Sequence, residues 1–265
     1  MTAPVLSVRE LVVTLHGEPQ STALVDGIGF DLYAGEVLGL VGESGCGKTK
    51  TAEALMGLLP PEPAMSRTGR ILLGETDLAG LPERALRRIR GRDISMVFQE
   101  PLTALDPVFP AGDPLMAVFR RHRGMNRRQA RRAAMEMLAQ VGFADTESVL
   151  RSYPHELSGG MRQRVLIAMA MACRPRVLIA DEPTTALDVT TQAQVLARLT
   201  ALAAASGTAI LLITHDLGIV AQYCDRALVM LRGRIVEDAP IDCLFDQPTH
   251  PYTTELLAAA RSEAT

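Results

Sequence analysis

The run from Gly42 to Thr49, Gly-Glu-Ser-Gly-Cys-Gly-Lys-Thr, constrains the fold of this chain more than any other feature of its sequence. It matches the pattern G-x-x-x-x-G-K-[ST] at every specified position. The apolar segment 37–41 before it predicts a buried strand, and the segment 51–56 after it predicts the start of a helix. Glycines let a backbone wrap around a phosphate with its N–H groups, and a helix N-terminus adds a positive dipole end. The sequence therefore predicts a strand–loop–helix unit that binds a nucleoside triphosphate.

Two side chains of this loop have predicted contacts of their own. Lys48 is expected to reach the β- and γ-phosphates, and the Thr49 hydroxyl is expected to bind Mg²⁺. A second cation, Lys50, opposes the dipole of the predicted helix, so the nearby triphosphate is expected to compensate for it. The nucleotide-binding residues predicted in this segment are Gly42, Glu43, Ser44, Gly45, Cys46, Gly47, Lys48, Thr49 and Lys50.

A second group of motifs lies in the other half of the chain. The turn Ser158-Gly159-Gly160 precedes a predicted helix, and an apolar segment, 176–180, ends at Asp181-Glu182. An acidic pair at the C-terminal end of a buried strand favours Mg²⁺ and water chemistry at a γ-phosphate, with Asp181 in the metal shell and Glu182 beside the attacking water. Asp188 follows in an Ala-Leu-Asp sequence, and His215 follows a further apolar segment.

Taken in order, the loop, Gln99, the Leu-Ser-Gly-Gly turn, the acidic pair, Ala-Leu-Asp and His215 resemble the motifs of ABC-type ATPase subunits over nearly the whole chain. The resemblance implies an α/β fold: a RecA-like P-loop NTPase core with an antiparallel β subdomain and an inserted α-helical subdomain. It predicts a single domain of residues 1–265, with the core in 1–99 and 156–265 and the helical subdomain in about 100–155.

The resemblance also implies how the residues would work. Two subunits would face head to tail, so that Ser158, Gly159 and Gly160 of one close over ATP held by Lys48 of the other, with Asp188 contacting the opposite subunit. The implied cofactors are ATP and Mg²⁺. The implied catalytic residues are Glu182, His215 and Gln99, and the implied metal contacts are Thr49, Gln99 and Asp181.

Two positions leave alternatives open. Members of this family usually carry an aromatic residue that stacks on adenine, but here the matching position holds Leu15 or His16, which predicts apolar contact at most. Cys46 lies near Lys48 and backbone dipoles, which is expected to favour its thiolate. It is interpreted either as a small residue that fills the loop or as a redox-sensitive one.

Composition excludes several classes of protein. A net charge of −3 argues against a general nucleic-acid binder, so the arginine-rich segment 119–132 is interpreted as a solvated helix face rather than a site for nucleic acid or anionic lipid. No apolar run approaches the roughly 18 residues of a spanning helix, and no signal peptide is predicted. The four cysteines lack metal-site spacing. We expect a cytosolic chain whose membrane role comes through partners.

Segments 96–107, 153–161, 181–189 and 250–253 resemble the peptide/nickel importer family of ABC ATPases more closely than ABC ATPases at large. This implies integral membrane permease subunits, a second ATPase subunit, an indirect periplasmic or extracellular solute-binding protein, no nucleic acid, and peripheral attachment to the cytoplasmic face of the inner membrane. The implied function is that of an ATP-hydrolysing subunit that powers an importer for nickel or small peptides, and the short tail favours the nickel-importer type. The alternative is a soluble ATPase of a phosphonate carbon–phosphorus lyase complex.

Overall fold

The computed structural model describes residues 3–17, 20–98, 104–185 and 187–263. Its contacts divide the chain into two compact units. Unit one combines residues 1–86 with 209–265, and unit two comprises residues 87–208.

The elements follow one another in a mixed α/β order. The strands are β1 (Leu6–Leu15), β2 (Thr22–Leu32), β3 (Val37–Val41), β4 (Met65–Leu73), β5 (Thr76–Asp77), β6 (Ile94–Val97), β7 (Val177–Asp181), β8 (Ala209–Ile213), β9 (Arg226–Leu231) and β10 (Arg234–Pro240). The α-helices are α1 (Lys48–Met56), α2 (Glu83–Ile89), α3 (Gly112–Arg123), α4 (Arg127–Gln140), α5 (Thr146–Arg151), α6 (Gly159–Met171), α7 (Val189–Ser206), α8 (Leu217–Tyr223), α9 (Ile241–Asp246) and α10 (Pro251–Glu263).

The predicted antiparallel sheet is present in unit one, with strand order β2-β1-β4-β5. Val8 of β1 lies opposite Phe30 of β2 and Ile71 of β4, and all three side chains are buried. Buried and less buried positions alternate over residues 11–14 of β1 and 28–32 of β2, as expected where one face of a sheet covers the core and the other faces water.

The strand before the phosphate loop belongs to a different sheet. β3 pairs in parallel with both β8 and β9, so that Leu40 lies opposite Ile213 and Leu228. After residue 176 the sequence alternates apolar segments with helical ones, which predicts a parallel sheet. This prediction is wrong for β10, which pairs antiparallel with β9. A two-residue connection, in which Arg232 and Gly233 both have positive φ angles of 48° and 83°, turns the chain straight back as a tight hairpin.

Unit two holds the parallel pair β6 and β7, with Met96 opposite Ile179, and the helices α3 to α7. The apolar segment 94–98 predicts a strand, but β6 ends one residue earlier, at Val97, and Phe98 is 46% exposed. The pattern of the sequence from about 112 to 150 predicts helices, and α3, α4 and α5 lie there. Unit two also includes β6, α6, β7 and α7, so its limits differ from those of the predicted helical subdomain, which stays a prediction.

Candidate functional site

The phosphate loop of unit one has a backbone that only glycine can follow at its first position. Gly42 has a φ angle of 152°, and a Cβ built there would lie 2.2 Å from the Met230 carbonyl oxygen. Helix α1 begins at the end of the loop, and among the described residues no side chain caps its first turn or places an acid there. The N-terminal N–H groups and the positive dipole end are therefore left to an anion.

Lys48 is folded back over this loop. Its side chain is 6% exposed, and its Nζ donates to the carbonyl oxygens of Gly42 at 2.7 Å and Glu43 at 2.9 Å. In the part of the chain that the structure describes, no carboxylate forms an ion pair with it. A buried cation held only by dipoles makes the loop electropositive, which suits a polyphosphate.

The residues expected to bind the metal offer hydroxyl and carboxylate oxygens, the donors that Mg²⁺ prefers. Thr49 is exposed in the first turn of α1, and Asp181 is buried at the end of β7 in unit two. Across the described ranges, no group of three or more His, Cys, Asp or Glu side chains could hold a metal ion. This donor set fits an ion that takes its other ligands from phosphates and water.

The structure bears on two further side chains of the loop. Lys50 forms a 2.7 Å ion pair with Glu53, so a carboxylate of the protein itself offsets its charge. The predicted Cys46 thiolate is wrong: the side chain is 6% exposed, and burial raises the pKa of its thiol even though the nearby Lys48 acts to lower it. The thiol is protonated at neutral pH and fills space inside the loop.

His215 lies on the turn that follows β8 in unit one, and its side chain is exposed. Its neighbours fix this turn. The Asp216 N–H donates to the Thr214 hydroxyl at 3.0 Å, and the Asp216 carboxylate caps α8 by accepting from the N–H of Gly218 at 2.8 Å. The imidazole is thereby presented to solvent from a constrained backbone.

The position expected to contact adenine lies at the end of β1. Leu15 is 39% exposed, and the ring nitrogens of His16 lie 3.1 Å from the Ser21 hydroxyl and 2.8 Å from the Ser66 hydroxyl. These two hydroxyls orient the imidazole beside the exposed Leu15. The surface that these two residues offer is an aliphatic side chain and a fixed imidazole.

In unit two, β7 delivers the acidic pair to its C-terminal end as predicted. Glu182 has a φ angle of 45°, a left-handed conformation that is uncommon for a residue other than glycine. Its carboxylate accepts a hydrogen bond from the Thr185 hydroxyl at 2.9 Å. Thr185, which sequence reasoning gave no role, therefore orients the side chain expected to act as the base.

The turn at Ser158 begins α6 in the expected way. The Ser158 hydroxyl accepts from the Met161 N–H at 3.3 Å and caps the helix. Gly160 lies against α7, because a Cβ there would be 2.5 Å from the Thr191 methyl carbon. The second glycine of the turn is thus required by close packing of two helices.

Asp188 performs the same task for α7. Its carboxylate accepts from the Thr191 N–H at 3.0 Å, and this hydrogen bond lowers the pKa of Asp188. The Ser158 turn and Asp188 open on a shared cavity of about 360 Å³ within unit two. The structure therefore brings two of the predicted site segments together in unit two.

Two arginines that line this cavity were missed by sequence reasoning. Arg164 donates to the Gly142 carbonyl at 3.1 Å and lies 4.6 Å over the Phe143 ring. Burial lowers the pKa of Arg164, and the nearby Arg198 lowers it further. Arg164 lies on α6 and Arg198 on α7. Only the helical periodicity of these two segments, which places each arginine on one face of its helix, could have indicated them. They make the cavity electropositive.

Gln99 lies outside the described residues. In the arginine-rich segment, Arg131 and Arg151 both pair with Glu147, and Arg132 pairs with Glu136, so part of this surface is neutralised internally, as expected for a solvated face. No described helix is both long and apolar enough to cross a membrane.

Comparisons with known protein families and with individual proteins point to the same family. The family model described as "ABC transporter" matches residues 25–185. The chain is 49% identical to a dipeptide transport ATP-binding protein of Bacillus subtilis, over 96% of this chain and 76% of the relative. It is 50% identical to a peptidoglycan transport ATP-binding protein of Agrobacterium fabrum, over 97% of this chain, and spans only 47% of that relative's length.

Solved structures share the fold. A dimeric bacterial ABC transporter cassette superimposes with a TM-score of 0.79 at 25% identity, covering 89% of this chain and 98% of the cassette. A cassette of Clostridium perfringens, described as part of an ABC transporter complex, superimposes with a TM-score of 0.76 at 27% identity, covering 93% of this chain and 92% of the cassette.

Proposed function

Because this chain belongs to the ABC transporter family and has the fold of its ATP-hydrolysing cassettes, we propose that it powers the import of small peptides. The observation that carries the proposal is the pair of features seen in the two units. The phosphate loop of unit one has a buried, carbonyl-held Lys48 and an uncapped helix start. The Ser158 turn of unit two begins a helix beside an electropositive cavity.

The proposed roles of the residues follow their chemistry. Lys48 and the loop N–H groups bind the β- and γ-phosphates of ATP, and Thr49, Asp181 and Gln99 hold Mg²⁺. The ion would neutralise charge on the phosphates. Glu182 accepts a proton from the attacking water, and the exposed His215 contacts the γ-phosphate.

The Ser158 turn and Asp188 are proposed to act on the nucleotide of a second ATPase subunit. A helix start that presents N–H groups far along the chain from the phosphate loop suits a phosphate bound by a partner, because helix N-termini favour anions. ATP between two such subunits would hold them together, and hydrolysis would release them, which is a two-state switch biased by a ligand.

We further propose that integral membrane permease subunits anchor the pair at the cytoplasmic face of the inner membrane, with a solute-binding protein on the other side. The names of relatives support peptides: they include dipeptide and oligopeptide transport proteins and a glutathione import protein. This moves the preferred substrate from nickel to peptides. The same names support an importer over a carbon–phosphorus lyase complex.

An uptake experiment tests the proposal. A strain lacking the gene is complemented with wild type, Lys48→Ala, or the control Arg132→Ala, whose side chain is 85% exposed on α4. Wild type and the control should restore accumulation of a labelled dipeptide, and Lys48→Ala should not. Restoration of radioactive nickel uptake alone would replace peptides with nickel. If dipeptide and nickel uptake are the same in the deletion strain and in the strain with wild type, and wild type restores growth on a phosphonate, the importer is overturned in favour of the lyase.

A further inference from the structure

A tyrosine near the C-terminal end of the chain hydrogen-bonds the phosphate loop. The Glu43 N–H donates to the Tyr252 hydroxyl oxygen at 3.1 Å. Tyr252 lies in the first turn of α10 and is 9% exposed, and both residues belong to unit one. The sequence of the loop does not predict this contact, because Tyr252 lies in a helix 209 positions further along the chain.

The peptide bond that Tyr252 holds is the one that Lys48 also holds. The group between Gly42 and Glu43 carries the Gly42 carbonyl oxygen, which accepts from Lys48 Nζ at 2.7 Å, and the Glu43 N–H, which donates to Tyr252. Because a peptide group is planar, fixing its N–H also fixes the direction of its carbonyl. Tyr252 and Lys48 therefore hold opposite edges of one peptide plane at the start of the loop.

The Tyr252 ring is itself fixed by packing. It belongs to a buried cluster in unit one that includes Val41, the last residue of β3, and the side chains of Val229, Leu244 and Leu257. Burial raises the pKa of the Tyr252 phenol, so its hydroxyl remains protonated at neutral pH. The oxygen that accepts from Glu43 is thus neutral and held in a close-packed environment.

The chain before Tyr252 is tied to β10 by a buried carboxylate. Glu237 is 7% exposed and accepts from the Thr249 N–H at 2.7 Å, the Thr249 hydroxyl at 2.9 Å and the His250 N–H at 3.1 Å. The His250 ring nitrogen Nδ1 in turn accepts from the Tyr252 N–H at 3.2 Å. These bonds set where α10 begins and hence where the Tyr252 hydroxyl lies.

We propose that Tyr252 is a positioning residue for nucleotide binding, which holds the Gly42–Glu43 peptide so that Lys48 and the loop meet the phosphates, and that Glu237 supports it through the Thr249–His250 segment. The inference rests on the proposed ATP-binding function of the loop. It gives the C-terminal helix a direct effect on nucleotide affinity.

The test removes only the hydroxyl, with Tyr252→Phe, and uses Tyr33→Phe as a matched control, because Tyr33 is a half-exposed tyrosine of the same unit. Binding of a fluorescent ATP analogue and steady-state hydrolysis are measured. Loss of the acceptor leaves a loop N–H unsatisfied, so we expect the Kd for the analogue and the KM for ATP to rise about tenfold, with kcat within about twofold. Tyr33→Phe should match wild type.

Hydrogen exchange shows whether the substitution loosens the loop alone or destabilises unit one as a whole. Exchange at the Glu43 amide should quicken in Tyr252→Phe, while exchange in the buried strand β3 stays as in wild type. Glu237→Gln, which keeps the hydroxyl but weakens the support of α10, should raise the Kd in the same direction by a smaller factor.

Each outcome decides the matter. If Tyr252→Phe has unchanged Kd and KM, or lowers only the thermal midpoint, the positioning role is overturned. If wild type itself fails to bind ATP, the proposed function fails and the inference about Tyr252 fails with it; if wild type binds ATP and Tyr252→Phe matches it, only the inference fails.

Discussion

At the scale of single residues, Glu182 combines an unfavourable backbone with a fixed side chain. Its left-handed φ of 45° costs on the order of 1–3 kcal/mol, and the Thr185 hydroxyl orients its carboxylate. We expect Glu182→Gln to bind ATP normally while kcat falls about 10²–10⁴-fold, because the amide cannot accept the proton from water. Phosphate release and equilibrium ATP binding measure the two effects; near-normal hydrolysis would remove Glu182 from the role of base.

Thr185→Val is the comparison for this variant. It keeps the carboxylate and the side-chain shape but removes the hydroxyl that donates to Glu182. A smaller fall in kcat than in Glu182→Gln is expected, with no change in ATP affinity. A loss as large as that of the glutamine variant would mean that both substitutions act through the turn rather than through the carboxylate.

Sequence reasoning predicted where the phosphate loop and the acidic pair lie, because both positions depend on local order. The Gly42–Thr49 loop and the Asp181-Glu182 pair lie at strand ends as predicted. It was wrong about the Cys46 thiol, because burial outweighs the nearby cation and depends on the packed structure. It noted segment 250–253 but missed the contact of Tyr252 with the loop, because a contact between distant segments leaves no mark in local spacing.

At the scale of elements, two neighbouring residues at the start of α6 have different roles. Ser158 caps the helix, whereas Gly159 is proposed to approach a nucleotide on a second subunit. Gly159→Asp adds a carboxylate to a helix N-terminus, which stabilises the helix but repels a triphosphate at short range. We expect ATP binding by the monomer to persist, and ATP-dependent dimerisation and turnover to be lost.

Gly159→Ala is the neutral control, since it adds a methyl group without charge. Dimerisation, followed by size-exclusion chromatography or light scattering in ATP, should survive in the alanine variant. If the aspartate variant instead loses affinity as a monomer, the turn acts on nucleotide bound to its own subunit.

The elements themselves were predicted where periodicity is strong. α3 to α5 and the antiparallel β1–β2 pair follow the apolar patterns of their segments. The antiparallel β10 was missed because the hairpin at Arg232-Gly233 depends on two positive φ angles, and an Arg-Gly pair is a weak signal for such a turn.

At the scale of the whole molecule, metal and nucleotide are expected to stabilise the chain only together. The described residues contain no cluster of three metal ligands. EDTA should therefore leave the thermal midpoint of the nucleotide-free protein unchanged. With Mg²⁺ and ATP at 100 times its Kd, binding should add about 2.7 kcal/mol to the free energy of unfolding, and EDTA should remove most of it.

Thermal denaturation of wild type and Lys48→Ala, each with and without Mg²⁺–ATP, measures this linkage. The thermal midpoint of Lys48→Ala should not rise when Mg²⁺–ATP is added. A midpoint that falls when EDTA is added without nucleotide would reveal a resident metal and contradict the expectation.

The position of β3 between β8 and β9 has a consequence for the order in which the molecule is made. A ribosome delivers β3 and the loop after it early, but both strands that flank β3 come from residues 209–231. The Tyr252 hydroxyl arrives later still, 209 positions after Glu43. Until then the nascent chain carries an apolar strand with unpaired edges, a surface that invites aggregation or chaperone binding. A chain released early would thus contain the whole phosphate-loop sequence and still lack a finished nucleotide site.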